Sequence, residues 1–384
     1  MLKPLTAKSF FLFGARGTGK STLLGSLYSE QTSYRFDLLD PVLLDDLRLD
    51  RERFKRIINT EENRNKVIVI DEVQKLPDLL NYVHQSIFKE QRIFALTGSS
   101  ARRLKQLGTN LLAGRALVYH LYPLTSVELG DKFDLQKALE FGLLPDCYLA
   151  SSEQLASEIL RAYILNYVEK EIQIEQWVRK IEPFRNFISI AAQMNGKIIN
   201  KSAIARDVGA DDTTVADYFE ILEDTLLGIT LPAYHQSIRK RHRKGHKFFF
   251  IDPGIKRALD RTLVSRLVPG TSAYGEAFEH FIFLEIYKLA SYARKDWQFF
   301  YYQTREGYEV DLVIERPGKP LLLIEIKSKS KITAEDCAVI ERIGPEIGPF
   351  IEQVLISQDQ TTQKFGNTTA FNWRDFLKRE LFKN

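Results

Sequence analysis

A lysine and a hydroxyl stand side by side at Lys20 and Ser21, directly behind a glycine-rich turn in GARGTGKST. Gly14, Gly19, Lys20 and Ser21 keep the spacing G-x-x-x-x-G-K-S, and Gly17 adds a further flexible point. Residues of this kind cradle a phosphate when a buried strand leads in and a helix leads out. Ser9 to Phe13 reads as that strand and Thr22 to Tyr28 as that helix. The backbone N–H groups of Ala15, Arg16, Gly17, Thr18, Gly19 and Lys20 then surround a β-phosphate, helped by the positive helix end. Lys20 neutralises phosphate oxygens, Ser21 ligates Mg²⁺, and Thr22 completes the nucleotide-binding set.

A second constellation supports the first. KVIVIDEVQKL carries a continuous apolar run, Val67 to Ile70, that ends in Asp71 and Glu72. Two carboxylates at the end of a buried strand are costly without a cation. Asp71 is expected to hold Mg²⁺ through water, and Glu72 to polarise the water that attacks a γ-phosphate. RIFALTGSS is a third strand. It ends in Thr97 and Ser99, either a γ-phosphate sensor or an ordinary Gly-Ser turn.

The C-terminal third holds a different set. Asp311 in EVDLVIE and Glu325 and Lys327 in LLLIEIKS interrupt strands where apolar residues belong. Period-two alternation puts Glu325 and Lys327 on one face, and Asp311, on the neighbouring antiparallel strand, can lie opposite. Asp311, Glu325 and the carbonyl of Ile326 can hold Mg²⁺ or Mn²⁺ through hard oxygen ligands. Lys327 then orients or activates a metal-bound water, and Glu279, on the adjacent helix, completes the carboxylates. The plainer alternative is a solvated Lys327–Asp311 salt bridge on an edge sheet.

Between them, residues 184–250 read as three short helices and a hairpin. Phe184, Phe187, Ile188, Ala191 and Ala192 share one helical face, and Gly209 stops a second helix. Asp211 or Asp212 caps a third, with Val215, Phe219 and Leu222 inward. This is a helix-turn-helix pattern, with Thr213 and Thr214 at the start of the recognition helix. ITLPAY and KFFFID supply the hairpin. Its tip gathers Arg239, Lys240, Arg241, Arg243, Lys244 and Lys247 without an acid between Asp224 and Asp252. Such a wing tracks phosphates, or is a solvated loop. His235, His242 and His246 lack nearby carboxylates or cysteines and read as polar tip residues, not zinc ligands.

These elements need more than one core. The 384 residues suggest two or three domains, with 44% hydrophobic and 27% charged residues, an ordinary globular composition. The net charge of only +4 leaves local patches to carry any nucleic-acid case. Two cysteines make no disulfide framework and suit a reducing cytoplasm. No apolar run approaches the ~18 residues that span a bilayer, so no membrane role is expected. The expected class is α/β: a P-loop domain with a parallel sheet over 1–150, a helical linker and winged helix over 151–265, and a further α/β domain over 266–384.

Two resemblances follow from the motifs. GARGTGKST, VIVIDEVQKLPDLL, FALTGSSARRL and LLAGRALVYHLYPLTSVEL resemble the prokaryotic AAA-superfamily ATPases that carry a C-terminal domain long labelled as of unknown function. That resemblance implies ATP hydrolysis and places Arg115 as an arginine finger or sensor, and a trans-acting arginine would demand a homo-oligomer; Arg115 equally suits a solvated arginine at a helix end. Arg92, Arg102, Arg103, Lys105 and Arg115 leave 91–127 without an acid, a face for DNA, nucleotide or a neighbouring subunit. GEAFEHF, EVDLVIE and IEIK resemble the PD-(D/E)XK nucleases, with Val310 in place of the proline. This implies metal-dependent DNA cleavage by Glu279, Asp311, Glu325 and Lys327, or an inherited fold that only binds DNA or protein.

Overall fold

The computed structural model describes residues 2–99, 114–169, 181–237 and 245–382. They form two compact units, Leu2–Pro123 with Ile221–Leu227, and Leu124–Glu220 with Gly228–Asn384.

The first unit is built on five parallel strands: β1 (Phe10–Phe13), β2 (Ser33–Asp37), β3 (Val67–Asp71), β4 (Phe94–Gly98) and β5 (Leu117–His120), ordered β2-β3-β4-β1-β5. The central strands are apolar at nearly every position because both faces are covered. Phe10 to Phe13, Ile68 to Ile70 and Phe94 to Leu96 are all buried. Parallel pairing sends every carboxyl end to one edge. Phe13 is level with Gly98 and His120, and β4 stands between the glycine-turn strand β1 and the acidic strand β3.

The second unit begins at Leu124. Two buried carboxylates hold its first residues. Asp252 caps the helix Pro253–Leu259 through the N–H groups of Gly254 (2.8 Å) and Ile255 (3.1 Å), and also takes the Leu143 N–H at 2.5 Å. A Cβ on Gly142 would lie 1.9 Å from Asp252 Oδ1. Glu285 accepts both the N–H (2.9 Å) and the hydroxyl (2.5 Å) of Ser126 and pairs with Lys288 at 2.8 Å. Residues 124–150 are thereby fastened to partners more than a hundred positions away.

The helices Ile181–Gln193, Lys201–Val208 and Asp212–Asp224 precede an antiparallel hairpin of β6 (Gly228–Pro232) and β7 (His246–Phe250). Phe184, Phe187, Ile188, Ala191 and Ala192 are buried as expected, as are Val215, Phe219 and Leu222. Asp211 is the cap of the third helix, accepting the Thr214 N–H at 2.7 Å.

A mixed six-stranded sheet completes the unit, ordered β12-β13-β11-β10-β9-β8. Its strands are β8 (Gln298–Gln303), β9 (Glu309–Glu315), β10 (Leu321–Ile326), β11 (Ile351–Ser357), β12 (Gln363–Phe365) and β13 (Thr368–Asn372). The helices Ser272–Tyr292, Ala338–Ile347 and Trp373–Phe382 accompany it. The last hairpin and helix have no counterpart in the sequence reading. Both β9 and β10 are interior strands, so Asp311 and Glu325 do not lie on an edge. β8 is joined to the β6–β7 hairpin: Tyr234 donates its N–H to Tyr301 O at 2.6 Å, and the Tyr301 hydroxyl donates to Gly245 O at 2.7 Å. Among the described residues no helix is long and apolar enough to cross a membrane.

Candidate functional sites: a phosphate cradle and a carboxylate centre

The glycine turn leaves β1 at the carboxyl edge. Gly14 has no room for a side chain, since a Cβ there would stand 2.5 Å from the Leu121 carbonyl and 2.8 Å from Thr18 Oγ1. Gly19 precedes the helix Lys20–Leu27 at φ 90°, a left-handed conformation that favours glycine. Thr18 closes the loop by donating its hydroxyl to Ala15 O at 2.8 Å. Lys20, buried at 6% exposure, donates its ammonium to Gly14 O (2.8 Å) and Ala15 O (3.3 Å).

Two carboxylates converge on this lysine and its neighbour. The Ser21 hydroxyl donates to Asp71 Oδ2 at 2.7 Å, and Glu72 Oε1 lies 3.8 Å from Lys20 Nζ. Thr97 donates its hydroxyl to Asp71 Oδ1 and accepts the Glu72 N–H at 3.0 Å. The backbone at Glu72 is left-handed, φ 55°, which turns its carboxylate out of the strand. Gln74 holds that carboxylate through Nε2, which also donates to Ser99 Oγ at 3.0 Å. Thr97 and Ser99 therefore position the two acids. A hydroxyl and a carboxylate beside a lysine-bearing turn are the donor set of a magnesium nucleotide, and they fit one.

Arg115 is not part of this cradle. It precedes β5, whose Leu117 pairs with Phe10, so it lies at the amino edge of the sheet. There it contacts His84 Nε2 and stacks over Phe88 at 5.2 Å. Arg92 is buried and donates to Asn63 O and Ile58 O, a structural role and not a basic face. Arg102, Arg103 and Lys105 lie outside the described residues.

The second constellation lies around Asp311 and Glu325. The β9–β10 register pairs Ile324 with Leu312, so one further step sets Glu325 opposite Asp311. Lys327 donates to Glu325 Oε1 at 2.6 Å, on the same face as expected. The Ile326 N–H donates to Asp311 Oδ2 at 2.7 Å. Glu325 is 4% exposed and its Oε2 has no hydrogen-bond partner. Burial and the nearby Asp311 carboxylate push the Glu325 carboxyl up to about 8, against the pull of Lys327. Burial and Asp311 do the same to Glu279, also up to about 8.

Lys247 is the correction here. Expected at the basic hairpin tip, it is 3% exposed and faces the acids, with Nζ paired to Glu309 and 3.6 Å from Glu279 Oε1. Strand alternation explains it. Phe248 and Phe250 turn to one side, where Phe248 meets Phe219, centroids 5.1 Å apart. Lys247 and Phe249 turn to the other, where Phe249 stacks on Phe283 at 4.4 Å. Glu279 stands one helical turn before Phe283, a rise close to a two-residue step along a strand. Among the described residues no group of three or more His, Cys, Asp or Glu side chains is gathered closely enough to hold a metal ion. The expected set of Asp311, Glu325 and Ile326 is instead engaged by Lys327, the Ile326 N–H and the Lys247 ammonium nearby, and as placed it does not fit a divalent ion.

Of the remaining DNA-contact candidates, Thr213 is exposed at the start of its helix and Thr214 is half-buried. Arg239, Lys240, Arg241, Arg243 and Lys244 lie outside the described residues.

Residues 6–130 match the model of an AAA domain. Residues 132–265 and 274–376 match two models described as domains of unknown function, DUF8612 and DUF4143. The chain is similar to an uncharacterized protein of Mycobacterium tuberculosis, 25% identical over 316 residues that span 80% of this chain and 68% of that one. It is also similar to an uncharacterized protein of Methanocaldococcus jannaschii, 22% identical over 419 residues spanning 95% and 84%. Among solved structures, a half-complex of Thermococcus gammatolerans McrB AAA+ hexamers with bound McrC aligns at a TM-score of 0.25 and 11% identity, over 67% of this chain and 75% of that chain. An AAA domain and a C-terminal domain of unknown function stand in the order that the resemblance implied.

Two site residues escaped the sequence reading. Gln74 follows Glu72 by two positions in DEVQ, and only the turn at Glu72 brings its amide back onto the carboxylate. Lys247 carried a legible signal: in KFFF it shares the parity of Phe249, and a buried strand gives both one face.

Proposed function

We propose that this chain hydrolyses ATP at the Lys20–Ser21–Asp71–Glu72 centre and uses that turnover to drive or gate the handling of DNA. The convergence of Ser21 on Asp71 and of Lys20 on Glu72 supports the first half. Bound magnesium ATP supplies the γ-phosphoryl group that passes to water. Lys20, which now donates to the Gly14 and Ala15 carbonyls, would neutralise phosphate oxygens, and Ser21 with Asp71 would hold Mg²⁺. Glu72, steadied by Gln74, accepts the proton of the attacking water. DNA is the proposed partner of the winged helix, through Thr213, Thr214 and the basic tip, and Arg115 is available to a neighbouring subunit of a homo-oligomer. Cys147 and Cys337, both free and buried, suit a reducing cytoplasm.

For the nuclease-like module two readings separate cleanly. It is a Mg²⁺- or Mn²⁺-dependent deoxyribonuclease, or it is a binding module that ATP turnover controls. Lys247 among the carboxylates favours the second. One experiment tests the whole proposal: ATPase rate with and without duplex, single-stranded and branched DNA, with cleavage scored on the same samples. DNA-stimulated turnover that Lys20→Ala removes is the expected result; turnover indifferent to every DNA sinks the DNA half. Chelator-sensitive cutting lost in Asp311→Asn, with ATPase intact, identifies the nuclease. Binding without cutting identifies the module.

A further inference from the structure

We infer that Lys247 is the resident cation of the carboxylate centre: its ammonium, carried in on β7, fills the place beside Glu279 and Glu309 that a divalent ion would need. The inference goes beyond ATP and DNA and rests on the geometry of this centre alone.

Three observations carry it. The first is position. Lys247 is 3% exposed, paired with Glu309, and 3.6 Å from Glu279, the two acids coming from different elements, β9 and the helix Ser272–Tyr292. Its ammonium also stands over the Tyr301 ring at 5.6 Å. The second is restraint. The backbone at residue 247 is paired on one side with Leu231 of β6 and bridged on the other to Ile198, so the strand has no slack to withdraw the side chain. The third is the state of the oxygens. Glu325 Oε2 is buried and unpartnered, while Glu325 Oε1 and Asp311 Oδ2 are taken by Lys327 and the Ile326 N–H.

A divalent ion shared by these acids would sit against the ammonium, and two cations in contact in partly buried surroundings repel strongly. The ammonium and the metal are therefore alternatives. Two consequences follow. Without a metal the centre sets two ammonium groups, Lys247 and Lys327, against its carboxylates, and the Lys247 share depends on the β6–β7 hairpin remaining in place. Lys247 thus fastens the helical and hairpin segment to the C-terminal sheet by charge, where a nuclease would use the same carboxylates for chemistry.

The test uses the full chain without nucleotide or DNA, so it stands or falls separately from the ATPase and DNA-handling proposal. Wild type, Lys247→Met and Lys247→Met/Glu325→Gln are compared by thermal unfolding in EDTA and in millimolar Mn²⁺, and by the Mn²⁺ each retains, read from its paramagnetic resonance signal. Wild type is expected to unfold at the same temperature in both, with no retained Mn²⁺ that depends on Glu325. Lys247→Met is expected to lose about 10 °C in EDTA and to recover at least half of it in Mn²⁺, with bound ion; the double variant recovers none. A Lys247→Met chain that does not fold in EDTA reads the same way, by whether Mn²⁺ restores folding. Failure of Mn²⁺ to restore it overturns the inference. So does a wild-type chain that binds Mn²⁺ through Glu325 as tightly as Lys247→Met does, or a Lys247→Met chain as stable as wild type in EDTA.

Discussion

Ser21 and Asp71, fifty positions apart in the chain, are joined by a 2.7 Å hydrogen bond from the seryl hydroxyl to the carboxylate. The bond spans from the first turn of a helix to the end of β3, across the width of β4. In the proposed function these two groups would hold Mg²⁺, and Lys20 and Glu72 would divide the remaining work.

That division is testable. Lys20→Ala is expected to weaken ATP binding by at least about tenfold, because the cradle loses the ammonium that neutralises the phosphates. Glu72→Gln is expected to bind ATP and to hydrolyse it about 10²- to 10⁴-fold more slowly, the usual range for a removed general base. Calorimetric binding and phosphate release separate the two; a Glu72→Gln enzyme at wild-type rate removes Glu72 from the chemistry.

Thr97 predicts a different signature. Its hydroxyl serves Asp71 Oδ1 and the Glu72 N–H at once, in a fully buried position. Thr97→Val leaves both groups unsatisfied and is expected to cost about 1–3 kcal/mol of stability. The same change should lower kcat more than it raises KM for ATP. Thr97→Ser restores the hydroxyl and should restore both. Urea unfolding and steady-state kinetics on the pair decide the matter, and a Thr97→Val enzyme unchanged in stability contradicts the bridge.

At the hairpin tip, joint neutralisation of Arg239, Arg241, Arg243 and Lys244 is expected to weaken DNA binding across all sequences. The salt dependence should flatten by roughly 0.9 for each lost phosphate contact on duplex DNA. Lys247 is excluded from this set because its charge faces Glu279 and Glu309. Fluorescence titrations over a range of salt provide the check, and an unchanged slope returns the tip to an ordinary solvated loop.

The carboxylate centre carries a pH dependence with a defined sign. Burial and Asp311 raise the Glu325 carboxyl from its ordinary 4.5 to about 8, so the folded chain keeps a proton that the unfolded chain releases. The native state then binds more protons between these values, and stability falls as pH rises from about 5 to about 8. Glu325→Gln has no proton to release there, so its unfolding temperature should decline less over the same range. Melting curves from pH 5 to 9 measure this. Equal slopes in the two proteins would show that Glu325 titrates normally.

How much of this was legible beforehand depends on the range of the interaction concerned. The glycine turn, the acidic strand end and the alternation of Glu325 with Lys327 are local patterns, fixed by backbone geometry over a few residues, and each took the place expected of it. The apolar runs at Phe10–Phe13 and Val67–Ile70 likewise declared strands covered on both faces. Gly209 and Asp211 marked helix ends because a left-handed turn and a side-chain cap are properties of one or two residues.

What the tertiary structure decided were the long-range partners of charged groups. A lysine reads the same in sequence whether water or a carboxylate will neutralise it. Lys247 followed a basic run and looked like its continuation, yet β7 turned it inward onto Glu279 and Glu309. Arg92 looked like part of a basic face and is buried against Ile58 and Asn63 carbonyls. Asp252 and Glu285 drew residues 124–150 into the second unit by capping backbone N–H groups far away in the chain. Sequence determines which groups must be neutralised or hydrogen-bonded once buried. Only the packing of strands and helices determines which groups are buried, and so which partner each one meets.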